Sequence, residues 1–166
     1  HHTGSLLEVP LEIAPLFPGD HPQSHDPDNR AGGFITVGQE IRKISLVSDN
    51  QAFNRLYDLV GHEELNRSMH ALGLRSVVIN HRLSETRPIP DMPASAAVTF
   101  RVPGREPIRV PARRSELQLT NRSPHLFIGT GYLQNNQLRA APMDFTRRNG
   151  ISLVYLQAVL IQQRQP

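Results

Sequence analysis

The sequence predicts an α+β chain made largely of short helices with one small β-hairpin, and three observations carry that expectation. Apolar residues recur at helical spacing in three successive runs between Thr36 and Leu72. A β-like alternation appears only later, from Ala97 to Val102 and again over Ile108, Arg109 and Val110, across Pro103-Gly104-Arg105. Prolines at 10, 15, 18, 22 and 27, and again at 88, 90 and 93, exclude helix on either side of the helical block.

Taken in order, His1-His2-Thr3-Gly4-Ser5 reads as the remnant of an affinity tag, and residues 6–166 as one partial domain. Residues 6–33 read as a long irregular lead-in whose apolar patch, Leu11, Ile13, Leu16 and Phe17, can lie against a core. The first helix is expected over Thr36–Val47, with Thr36 and Gln39 as a capping box and Val37, Ile41 and Ile44 on one face. The second follows at once from Ser48, with Ala52, Phe53, Leu56, Tyr57 and Val60 recurring until Gly61 stops the run. A third, His62 to Leu72, turns Leu65, Met69 and Leu72 inward and ends at Gly73. Three short helices with such brief connections form a compact packed unit. Beyond them, residues 74–79 are β-prone but brief, residues 96–110 form a surface hairpin, and Asn135-Asn136 marks a small turn. Residues 150–162 are apolar on nearly every side, as in a helix that expects to be buried.

Composition removes several classes of function. No cysteine is present, which excludes disulfides, thiolate nucleophiles and cysteine-ligated metals together. Lys43 is the only lysine, so the formal net charge of +3 rests on arginines, and these are scattered with few aromatics among them. Such a distribution gives solvated surface, and no nucleic-acid partner is expected. No apolar run reaches the roughly 18 residues that a membrane-crossing helix needs. His21, His25, Asp26 and Asp28 match no metal-binding motif with a mechanism, and a polar loop is expected there, with neither metal nor cofactor. Asn66-Arg67-Ser68 and Asn121-Arg122-Ser123 fit the glycosylation pattern without carrying further weight.

Ser48-Asp49-Asn50 is the stretch with chemical content. Ser48 followed by Gln51 reads as a capping box, with the hydroxyl accepting from the Gln51 N–H. The same tripeptide is the S-D-N element of serine β-lactamases and penicillin-binding proteins, which act with S-x-x-K and K-T-G elements elsewhere in the chain. One side chain can cap and catalyse, so both readings stand.

The run Leu46-Val47-Ser48-Asp49-Asn50-Gln51-Ala52-Phe53-Asn54-Arg55-Leu56-Tyr57, continued by Gly61, Leu65-Asn66, Leu72-Gly73, Ile79, His81-Arg82-Leu83 and Pro142-Met143-Asp144-Phe145, resembles the class A β-lactamase-related serine hydrolases of bacteria. The resemblance implies a β-lactamase-like fold, here mostly its helical subdomain, and a periplasmic or secreted location. It implies that Ser48 relays protons, that Asn50 orients substrate or lysine, and that Asp49 holds the turn. It also places Glu85 nearest to the acidic residue of the Ω-loop, which positions the deacylating water, with Arg82 as its ion-pair partner. The usual E-x-x-L-N continuation is absent, since Thr86-Arg87-Pro88-Ile89 follows Glu85, and a solvated loop glutamate is the competing role.

The single lysine sharpens this. Glu40 stands three residues before Lys43, and Ile44-Ser45 follows it, so neither S-x-x-K nor K-T-G exists in these residues. The expectation is the middle segment of a longer enzyme, lacking the nucleophile segment and inactive as this isolated chain. Expected partners are a small-molecule or peptide-like substrate, and the missing segments of the parent enzyme or a second copy bound through the apolar C-terminal helix. The alternative is a binding or scaffold module that kept the fold without the catalysis.

Overall fold

The computed structural model describes residues 6–85, 87–121, 126–134 and 136–162. The tag-like opening and the Asn135 half of the predicted turn lie outside the described residues. The described chain forms two compact units, one of residues 6–62 and 82–116, the other of residues 63–81 and 117–162.

The first unit is built on a three-stranded antiparallel sheet in the order β1-β3-β4, from β1 (Leu11–Ile13), β3 (Val98–Phe100) and β4 (Ile108–Val110). Leu11 pairs with Phe100, Ile13 with Val98, and Val98 with Val110, so alternate residues of β1 and β3 share one face. That face carries the core: Leu11, Ile13, Ile35, Ala96, Val98 and Phe100 close on one another, with Val37 and Leu59 from two helices packed against them. The lead-in was expected to be irregular throughout, yet Leu11–Ile13 is a strand. The predicted hairpin is present, but it is no surface feature: β3 is the central strand and Val98 is fully buried. Three residues are too few for periodicity to reveal a strand in a proline-rich stretch.

Helix α1 spans Val37–Val47, and Thr36 caps it by accepting from the Gln39 N–H at 3.2 Å, as the sequence predicts. Its buried residues are Gly38 and Glu40, while Ile41 is exposed. The reason is an ion pair: Glu40 Oε2 lies 3.1 Å from Arg55 Nη1 in the next helix, which turns the Glu40 side of α1 inward. Helix α2, Asn50–Val60, buries Ala52, Asn54, Tyr57 and Asp58 and ends at Gly61, whose φ of 87° suits glycine. Leu56 is half-buried, and Val60 lies at the exposed edge. A two-stranded pair, β2 (Ala94–Ser95) with β5 (Arg113–Arg114), completes this unit.

The second unit takes in α3, His62–Ala71, from its second residue. Leu72 was expected inward but is 74% exposed, because the helix has already ended and Leu72 lies in the turn before Gly73. The buried residues of α3 are instead His62 and Asn66, and the Asn66 side chain donates to the Ile79 carbonyl at 2.8 Å and accepts the Ile79 N–H at 2.8 Å. An asparagine spent in this way is closed to glycosylation. Two small antiparallel pairs follow, β6 (Phe127–Ile128) with β9 (Met143–Asp144), and β7 (Tyr132–Gln134) with β8 (Gln137–Arg139). Asn136, at φ 61°, turns the β7–β8 hairpin. Helix α4, Leu153–Gln162, forms as predicted, but Leu153 and Val154 are 81% and 75% exposed where burial was expected. No helix among the described residues is long and apolar enough to cross a membrane.

Candidate active site

The turn between α1 and α2 holds Ser48, Asp49 and Asn50. Ser48 is exposed and closes α1: its N–H donates to the Ile44 carbonyl at 3.1 Å, and its backbone is left-handed at φ 54°, ψ 45°. A non-glycine residue there is uncommon and is held by its surroundings. The cap of α2 is therefore Asp49, one residue later than the predicted Ser48–Gln51 box, and its Oδ1 accepts the Ala52 N–H at 2.9 Å. A carboxylate here also meets the positive end of the helix dipole, which a hydroxyl answers less well. That backbone hydrogen bond, with help from the nearby Lys43 ammonium, holds the Asp49 carboxyl below the usual carboxylate range.

Lys43, in the C-terminal half of α1, is gripped by carboxylates. Its Nζ lies 3.3 Å from Asp26, 3.3 Å from Asp49 and 3.5 Å from Asp28. Burial alone pulls the pKa of the ammonium down, but its bonds to Asp49 and Asp26 more than reverse this, and the group stays protonated above its ordinary range. Among the described residues no group of three or more histidines and carboxylates is arranged to hold a metal.

Helix α2 presents a polar stripe at i, i+4 and i+8, the spacing that stacks side chains on one face. Asn50 Nδ2 donates to Ser84 Oγ at 2.7 Å. Asn54 Nδ2 donates to the Leu83 carbonyl at 2.9 Å, while its Oδ1 accepts the Leu83 N–H at 2.8 Å. Asp58 pairs with Arg82 and also accepts the Ala96 N–H at 2.8 Å. Three successive residues, 82 to 84, are thus fastened to three successive turns of α2. Arg82 is further held by the Ala94 carbonyl at 2.9 Å and by the Tyr57 ring, 4.8 Å from its guanidinium carbon.

Below this stripe lies a cleft of about 100 Å³ whose walls are mainly polar, including Gln23, Asn54, Arg55, Arg82, Glu85 and Arg87. Glu85 does reach this cleft, but its ion pair is with Arg87 at 3.0 Å, while Arg82 is turned to Asp58. Arg87 also pairs with Asp20 and lies over the Phe17 ring, 4.6 Å from its centre. Arg55, which also lines the cleft, donates to Gln23 at 3.0 Å and to Glu40. Burial pushes the Glu40 carboxyl above its ordinary value, against the pull of Arg55.

Of the residues singled out in the sequence, Asn50, Arg82 and Glu85 are brought to one neighbourhood, the first through Ser84. Ser48 and Asp49 stand at the start of the same helix, and neither they nor Asn50 line the cleft. Lys43, Asn54, Arg55 and Asp58 were not expected to take part. The Asn50-Asn54-Asp58 spacing was the signal for two of them, hidden because apolar residues were counted first.

A sequence model of the beta-lactamase enzyme family matches residues 18–115, more than half of the 166 residues. The chain belongs to the beta-lactamase enzyme family. The matched span holds the Ser48-Asp49-Asn50 turn, the fastened residues 82–84 and every residue of the cleft except Ile13, Ala14 and Leu16. Family membership makes this a relative of the β-lactamase-related serine hydrolases, and the four helices and small sheets among the described residues agree with an α+β fold. No curated protein and no solved structure matches the chain significantly.

Proposed function

We propose that these residues supply the S-D-N part of a serine hydrolase that acts through an acyl-enzyme on β-lactam, peptidoglycan-like or other amide and ester substrates, in the periplasm or outside the bacterial cell. The single observation that carries the reading is the Asn50–Ser84 bond of 2.7 Å, which joins the S-D-N turn to the segment bearing Glu85 within a chain of this family. In this reading the exposed Ser48 hydroxyl relays protons, Asn50 orients substrate, Asp49 holds the turn, and Glu85 positions water at the cleft. Arg82 supports the same segment through Asp58.

Acyl transfer also needs an activated nucleophile. Lys43 is unsuited to activate one, because an ammonium shared by three carboxylates holds its proton near neutral pH. The acylated serine therefore lies outside these 166 residues, and the chain by itself is inactive. The same engagement of the only lysine favours a second reading, a binding or scaffold module with the family's fold and no catalysis. Incubation with a chromogenic cephalosporin bears on both. No hydrolysis is expected from this chain alone; hydrolysis that disappears in Ser48→Ala contradicts the scaffold reading and the assignment of the nucleophile elsewhere.

A further inference from the structure

Asp49 divides its carboxylate between two tasks. Oδ1 accepts the Ala52 N–H at 2.9 Å, and Oδ2 lies 3.3 Å from Lys43 Nζ. A rotation of this side chain cannot serve one oxygen without moving the other. The two residues on either side are Ser48, in its left-handed conformation, and Asn50, the first residue of α2.

Lys43 is itself anchored on its far side. Asp26, 2% exposed, receives the ammonium at 3.3 Å on both oxygens. The loop that carries Asp26 is bonded to itself: the Asp26 N–H donates to the Gly33 carbonyl at 2.8 Å, the Asn29 N–H to the Asp26 carbonyl at 3.0 Å, and the Asp28 N–H to Asp26 Oδ1 at 3.2 Å. Gly33, at φ 72°, closes that loop. The lysine side chain is only 13% exposed, so water and salt screen these contacts less than they screen surface pairs.

We propose that Lys43 is the positioning residue of the S-D-N turn: by joining the Asp26 loop to the Asp49 carboxylate, its ammonium fixes where Ser48 and Asn50 stand. The functional meaning of this rests on the proposed roles of Ser48 and Asn50, but the positioning itself does not. Lys43 touches no reacting group in this role, and its length matters as well as its charge, since it reaches from the C-terminal half of α1 to carboxylates on two other segments.

The test is by nuclear magnetic resonance on the whole chain and requires no turnover. Two signals are followed: water exchange of the Asn50 side-chain amide protons, and the titration of the Asp49 carboxyl carbon. Lys43→Met is expected to speed the Asn50 exchange about tenfold relative to the backbone amides of β3, through easier local opening. It should also move the Asp49 titration upward, and Lys43→Arg should restore most of both. A lysine with only a general structural role would move Asn50 and β3 together. Unchanged Asn50 exchange in a Lys43→Met chain that keeps its Val98 methyl shifts overturns the proposal. Should Lys43→Met fail to fold, Asp26→Asn weakens the far anchor, with the same direction expected at smaller size, and no change in Asn50 again overturns it. Absence of β-lactam hydrolysis in any of these chains speaks to the functional reading alone.

Discussion

In the first unit Leu11, Ile13, Ile35, Val98 and Phe100 close on one another; in the second, the buried residues among those described are Val77 and Val78 with Asn66 and Asn80, and four asparagines bond to backbone. Asn66 holds both polar groups of Ile79, Asn80 donates to the carbonyls of Leu119 and Arg147, and Asn149 holds the N–H of Asn80 and the carbonyl of His81. Asn121 donates to the carbonyls of Phe145 and Arg148. Large apolar side chains such as Phe127, Leu133, Leu138 and Leu153 meanwhile face outward. Apolar burial contributes in proportion to area, whereas a hydrogen bond exchanged with water contributes little and a buried one left unmade costs more. The first unit is therefore held mainly by its apolar core, whereas in the second the asparagine bonds to backbone add to the burial of Val77 and Val78.

That contrast ranks the effects of substitution. The largest is expected at Asp58→Ala, which takes the carboxylate from an Arg82 side chain that is 3% exposed; a loss of about 3–5 kcal/mol fits a broken buried pair. Urea unfolding measures it, and a loss below about 1 kcal/mol would mean that water reaches Arg82. Ile35→Ala comes next, at about 2–5 kcal/mol by the same measurement, because a fully buried side chain is removed from the core. A smaller value there would break the description of the first unit.

Asn66→Ala tests the second unit. Leaving the Ile79 N–H and carbonyl without their partner is expected to cost about 1–3 kcal/mol, and hydrogen exchange at Ile79 should rise with it. An unaltered exchange rate would show that the clasp is incidental. Smaller again is the pH effect of Glu40. Its folded pKa is raised by burial above the ordinary 4.5, so the unfolded chain ionises first and stability falls as pH climbs from 4.5 through the folded value. Glu40→Gln removes this slope, and the difference between the two proteins across that window measures it; a difference that grows in favour of Glu40 with rising pH has the wrong sign. The smallest effect is expected at Leu138→Ser, an exposed position where the change should stay within about 0.5 kcal/mol.

Local signals in the sequence were strong enough to announce α1 with its Thr36 cap, α2 with its Gly61 stop, the β3–β4 hairpin and α4. What remained hidden was which face each element buries. Glu40, Asn54, Asp58 and Asn66 are buried polar residues, and a reading that sends apolar residues inward assigns them to solvent; only the partners Arg55, Leu83, Arg82 and Ile79 show why they are inside. The cap moved from Ser48 to Asp49 for a similar reason, since Lys43 lies six residues back in sequence but 3.3 Å away in space. The family was legible because Ser48-Asp49-Asn50 and its flanks form a long contiguous pattern. The cleft was not, because its walls come from three separate stretches, residues 13–23, 51–58 and 82–96.

The central claim is that these residues carry the relay and cradle of acyl transfer without its nucleophile. Intact-protein mass spectrometry after incubation with a penicillin tests it directly. The expected spectrum shows the unmodified mass alone, because Lys43, the only lysine, is held as an ammonium among Asp26, Asp28 and Asp49 and is not free to activate a serine. An adduct of one drug mass localised to a serine of this chain would contradict the claim and identify another group as the base.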